Sequence, residues 1–138
     1  MVMKVEFLDM QYDMSVEQYK AQSRSVNVVV QGEGIDSLLY DRVMLSRMEL
    51  PLQINEESSC FVIQQYYESE VDTGYVADTI WINHSNEVEF VSVECGGVVT
   101  HDINEVLCTV NRIDSVVVED PKVIRNGKNN LKIYIKKQ

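Results

Sequence analysis

Asp102-Ile-Asn-Glu-Val-Leu-Cys-Thr-Val-Asn111 decides how the rest of this 138-residue chain is read. Asp102 and Glu105 have the spacing of a capping box, in which two side chains satisfy the free amides of a first helical turn. Behind them Ile103, Val106, Leu107 and Val110 recur at i, i+3, i+4 and i+7, the spacing of one helical face. The stretch predicts a helix, and a helix here makes the chain α+β.

The flanking sequence reads mostly as strand. Upstream, Thr79-Ile-Trp-Ile-Asn83 and Val88-Glu-Phe-Val-Ser-Val93 predict a hairpin turning at His84-Ser-Asn-Glu87. Cys60 to Tyr67, Ser25 to Gln31 and Val5 to Met10 also have strand composition. Ser15-Val-Glu-Gln18 is a further capping box and predicts a short helix from Val16 to Ser23. Ile35 to Leu50, with Asp36 as its cap, favours helix by composition, since Leu, Met and Arg are good formers; its apolar residues make no clean stripe, so strand stays open.

Downstream, Val116 to Val118 has strand composition, and Lys122 to Arg125 leads into Asn126-Gly127, a dipeptide suited to a tight turn. That predicts a C-terminal β-hairpin. In its last strand Leu131, Ile133 and Ile135 alternate with Lys132, Tyr134 and Lys136, one face buried and one wet. The predicted architecture is α+β in a single compact domain over residues 1–138: a mainly antiparallel sheet of about five to seven strands, with two or three helices packed on it.

Charge is laid out unevenly. From Met48 to Asn111 there is no Lys or Arg in 64 residues, against 12 acids. Residues 1–121 hold all 22 acids and six bases, a balance of −16, while residues 122–138 hold six bases and no acid. An uncompensated negative field favours basic partners and repels nucleic acid and anionic lipid. The longest charge-free stretch, Ser58 to Tyr67, is about half the roughly 20 residues of a membrane-spanning helix. Cys60, Cys95 and Cys108 are odd in number and no secretory core follows Met1, which predicts a reducing, cytoplasmic setting.

Motifs for chemistry fail on detail. Gly32-Glu-Gly34 lacks the third glycine of a dinucleotide loop, where Ser37 stands, and Glu33 would repel a pyrophosphate; a turn using glycine's backbone freedom fits better. Cys95, His101 and Cys108, with Cys60 or His84, are zinc-ligand types without the close cysteine pairs of a zinc knuckle. Glu68, Glu70 and Asp72 share one face in extended chain, but Thr73 and Thr79 stand where a calcium loop needs Gly and Glu. His84 and His101, the imidazole bases, have no nucleophile-elbow context. These readings assign no catalytic residue, no metal site and no cofactor.

What remains is a binding protein. Tyr66, Tyr67, Tyr75 and Trp81 lie in the acid-rich half, and Tyr and Trp are frequent interface anchors. The expected partner-binding residues are Tyr67, Glu68, Glu70, Asp72, Tyr75 and Asp78, with Lys132, Tyr134 and Lys136 as an oligomer or strand-edge contact. The expected function is a non-catalytic acidic module, of inhibitor, immunity, anti-defence or assembly-adaptor type, on a basic protein surface, without direct nucleic-acid or membrane binding. Two rivals are a small ligand- or metal-binding protein or enzyme using Cys95 to Cys108, and a homo-oligomer whose basic final strand docks on a neighbour's acidic body.

Overall fold

The computed structural model describes residues 2–34, 37–68, 73–92, 96–124 and 127–136, and among them there is no helix. The described residues form eleven strands in chain order: β1 Val2–Asp13, β2 Gln18–Ser23, β3 Val26–Gly32, β4 Tyr40–Leu45, β5 Arg47–Pro51, β6 Ser58–Glu68, β7 Thr73–Ser92, β8 Gly96–Cys108, β9 Ile113–Val118, β10 Lys122–Val123 and β11 Leu131–Ile135. The expectation of α+β with two or three helices is therefore corrected to an all-β protein of two sheets.

The five-stranded sheet runs β2-β1-β11-β9, with β5 also paired to β1. β1 meets β5 antiparallel from Val2↔Pro51 to Glu6↔Arg47, then β2 antiparallel from Leu8↔Ser23 to Asp13↔Gln18. Its other side lies parallel to β11, from Val5↔Leu131 to Leu8↔Tyr134. The six-stranded sheet runs β10-β8-β7-β6-β3-β4, with antiparallel neighbours throughout.

Period-two patterning builds the core, because successive strand residues point to opposite faces. Met3, Val5 and Phe7 of β1 and Leu131, Ile133 and Ile135 of β11 join Val28, Val30, Phe61, Ile63, Ile80 and Ile82 of the other sheet in one buried cluster. Each such side chain contributes about 1.5–3 kcal/mol of transfer free energy. Asn130 ties the parts together: its Nδ2 donates to the carbonyls of Asp120 and Lys122, and its Oδ1 accepts the Lys4 amide at 2.9 Å.

The decisive stretch of the sequence is strand β8, and its helix-like spacing has a local cause. Asn83 pairs with Glu105 but His84 pairs with Ile103, so Asn104 is an extra residue, a β-bulge. The bulge shifts the alternation by one, which turns Ile103 and Val106 to the same inner face although they are three apart. Leu107 and Val110 are exposed, so no four-residue apolar face exists.

The other corrections follow similarly. Ser15 to Gln18 closes the β1–β2 hairpin, with Glu17 at φ 51°, and the expected helix from Val16 to Ser23 is strand β2; turns and helix caps draw on the same small polar residues. The stretch expected as helix from Ile35 to Leu50 holds β4 and β5, while Ile35 and Asp36 lie outside the described residues. His84 to Glu87 is no turn, for β7 runs straight through it for 20 residues. Among the described residues there is no hairpin between Lys122–Val123 and β11: β11 pairs with β9 and β1, and Lys122–Val123 joins β8 in the opposite sheet. Gly127, at φ 75°, lies in that connection, and Asn126 lies outside the described residues.

Candidate binding face and an internal histidine relay

Most of the cation-free run lies in β6, β7 and β8, adjacent strands in the middle of the six-stranded sheet, and its first residues lie in β5. Their inner faces carry Phe61, Ile63, Ile80, Ile82 and Ile103. Alternation sends their neighbours outward, and the register aligns these into rows. Cys60, Trp81 and Leu107 form one row across three strands, and Asn83 with Glu105 forms the next. Further along, Ser85 faces Asp102 and Glu87 faces Thr100. At the other end Tyr66 pairs with Tyr75, ring centroids 5.9 Å apart.

This outer face is both aromatic and acidic. Trp81 is 41% exposed, Tyr75 46% and Leu107 52%. Around them stand Glu33, Glu87, Asp102 and Glu105, with no Lys or Arg on the three central strands. Beside Trp81 a cleft opens towards the turn after β3, lined by residues that include Glu33, Gly34, Cys60, Val62 and Thr79. Burial, then the nearby Glu33 carboxylate and its hydrogen bond, raise the Cys60 thiol above its ordinary pKa.

The expected site residues are dispersed. Tyr75 lies on this face. Asp78 points inward and is buried, where its carboxylate accepts the Thr109 hydroxyl at 2.7 Å and the amides of Asn111, Arg112 and Ile113 at 2.7, 2.8 and 3.1 Å. It holds the crossover from β8 to β9, so its role is internal. Tyr67 and Glu68 pair with Gly74 and Thr73, but their side chains, like Glu70 and Asp72 altogether, lie outside the described residues. Lys132, Tyr134 and Lys136 are half-buried on or just past β11, which has a neighbour on each side and no free edge. Lys132 Nζ meets Glu119 at 2.8 Å, and Lys136 Nζ donates to the Val110 carbonyl.

Sequence reasoning missed a buried relay carried by three strands of the six-stranded sheet. Asn86 Nδ2 donates to the carbonyls of Ile54 and Glu56, so Asn86 Oδ1 is free to accept. It lies 2.8 Å from His84 Nδ1 and 2.7 Å from His101 Nδ1, which assigns the ring proton of each histidine to Nδ1. His84 Nε2 then accepts the Ser59 hydroxyl at 2.8 Å, and Ser59 Oγ in turn accepts the Gln53 amide at 2.9 Å. His101 Nε2 is buried and has no hydrogen-bond partner.

Ser59, His84 and Asn86 thus follow the connectivity of a nucleophile, base and orienting residue. Access forbids that use: Ser59 is 3% exposed and His84 1%, and the serine oxygen is already engaged by a backbone amide. The relay instead anchors the segment between β5 and β6 to the end of the core. Burial, and then the neighbouring His84, lower the His101 pKa from 6.5 to about 4. Among the described residues no three His, Cys, Asp or Glu side chains converge to hold a metal; Cys95, of the zinc reading, lies outside them.

Residues 27–135 match a family of unknown function, DUF6452. The chain belongs to this family. The match runs from the second residue of β3 to the end of β11 and so contains the outer face and the relay, while β1 and β2 precede it. No curated protein and no solved structure matches the chain.

Proposed function

We propose that this DUF6452 chain is a non-catalytic binding protein that holds a basic surface of a partner protein on the outer face of its six-stranded sheet. One observation carries the reading: the cation-free strands β6, β7 and β8 lie side by side and expose Trp81 and Tyr75 among carboxylates. A flat face of this kind supplies desolvated aromatic anchors at its centre and charge at its rim. The charge steers encounter and is screened over about 8 Å at physiological ionic strength.

Affinity capture from the native host tests it, using the parent chain and a Trp81→Ala/Tyr75→Ala variant. A basic protein held by the parent at low salt should be lost with added salt and lost to the variant. A partner that both forms hold equally, or whose affinity ignores salt, overturns the reading.

A further inference from the structure

The cleft beside Trp81 is chemically narrower than the face around it. It has a volume of about 510 Å³, and Glu33 is the one charged residue among the described residues that line it. The Glu33 amide donates to the Cys60 carbonyl at 2.9 Å and Gly34 follows at φ 80°, so a bonded turn carries this carboxylate at the cleft's rim. Trp81 is fixed on the sheet between Cys60 and Leu107, with Ile80 and Ile82 buried on either side of it along the strand. Cys60, Val62 and Thr79 complete a lining of mixed polarity.

These features select by charge, shape and hydration. Indole has the strongest π-face for a cation, and a carboxylate beside it adds a counter-charge. Phosphate and carboxylate groups would meet Glu33 repulsively, and a neutral group would leave it without a counter-ion. An ammonium is a compact, strongly hydrated charge with no flat face to lay against the indole. A guanidinium is flat and weakly hydrated, stacks on an aromatic ring, and offers paired N–H donors to a carboxylate.

We infer that this cleft receives an arginine side chain of the basic partner, its guanidinium stacked on Trp81 and hydrogen-bonded to the Glu33 carboxylate. The inference rests on the docking face proposed above and assigns its selectivity: among basic partners, those that present arginine in extended chain are preferred over those that present lysine.

Trp81 is the chain's one tryptophan, so its fluorescence reports this cleft. Three short glycine-serine peptides of one sequence, carrying arginine, lysine or citrulline at the same two central positions, are titrated against the whole chain, with calorimetry in parallel. The arginine peptide should bind at least roughly fivefold more tightly than the lysine peptide, and citrulline more weakly than either. Glu33→Gln should lower arginine-peptide affinity by about tenfold, while Asp114→Asn, which removes one charge from the opposite sheet, should change it by less than about twofold. Thermal melts establish that both variants fold as the parent does.

Equal affinity for arginine and lysine, an unchanged Glu33→Gln, or no binding at millimolar peptide each overturns the cleft assignment. Equal affinities that are both lost in Trp81→Ala, read by calorimetry, overturn the selectivity and leave the docking face standing. A captured partner indifferent to Trp81 and Tyr75 overturns both.

Discussion

The rings of His84 and His101 stand edge to face, with centroids 5.1 Å apart and planes at 82°, and both donate to the single oxygen of Asn86. Two imidazoles so close inside a core cannot both carry charge cheaply. His101 therefore links fold stability to pH.

For His101 the sign is fixed by a folded pKa of about 4 against an ordinary value of 6.5. The unfolded chain binds the proton more readily, so the contribution is whole above about pH 6.5 and falls as pH drops towards 4. At about 1.36 kcal/mol per unit the full loss is about 3 kcal/mol, of which about 2 kcal/mol is lost by pH 5. Urea unfolding at pH 7, 6 and 5 should show this slope in the parent and a flatter one in His101→Gln. Parallel slopes would assign the acid sensitivity to other groups.

Asp78 accepts four hydrogen bonds, three of them from consecutive amides of the β8–β9 crossover. Asp78→Ala strands these donors and should cost at least about 3 kcal/mol by chemical denaturation. Thr109→Val, which removes one donor to Asp78 and the acceptor of the Thr79 amide but leaves the three crossover amides paired, should cost about 1–2 kcal/mol. Comparable losses from the two changes would show that the carboxylate is not the hub.

Cys60 has its thiol pKa raised by burial and then by Glu33, so less thiolate is present near neutral pH than in a free cysteine. Glu33→Gln removes the carboxylate's part and leaves burial in place. Alkylation at Cys60, followed by peptide mass mapping at fixed pH, should accelerate roughly three- to tenfold in that variant and remain slower than a free thiol. An unchanged rate would place the Glu33 carboxylate away from the sulfur.

Ile133 is fully buried in the interior strand β11, with Phe7 of β1 as one register partner and Val116 of β9 as the other. Ile133→Asp places a charge in that core at a cost of several kcal/mol against a typical total of about 5–15 kcal/mol, and should unfold or severely destabilise the chain. Lys132→Gln, on the opposite face, removes the pair with Glu119 without adding a charge and should shift stability by less than about 1 kcal/mol. A thermal melt of Ile133→Asp that matches the parent would refute the register of β11.

Much of the strand content is legible because alternation is a local property of extended chain. Val26 to Gly32, Thr79 to Asn83 and Leu131 to Ile135 each declare an inner and an outer face without reference to anything distant, and the same reading sets Trp81 opposite Ile80 and Ile82. The helix expected at Asp102 to Asn111 fails where that locality fails. One extra residue, Asn104, shifts the phase and imitates a helical period, and only the partner strand reveals the bulge. Gly32-Glu-Gly34 is legible as a turn, but nothing local announces that it carries Glu33 to the cleft of Trp81.

The sequence by itself determined the two-residue alternation, the absence of cations from Met48 to Asn111, and the inward set of β11. Tertiary structure alone decided which strands are neighbours. Lys4 and Asn130 exchange hydrogen bonds across 126 positions, and β11 lies beside β1 instead of folding back on Lys122–Val123. The physical reason is that backbone amides and carbonyls are the same in every strand, so hydrogen bonding can satisfy any pairing. The choice among pairings falls to side-chain packing summed over the whole core. The same sum brought Ser59, His84, Asn86 and His101 together from three strands, and gathered scattered acids and aromatics onto one face.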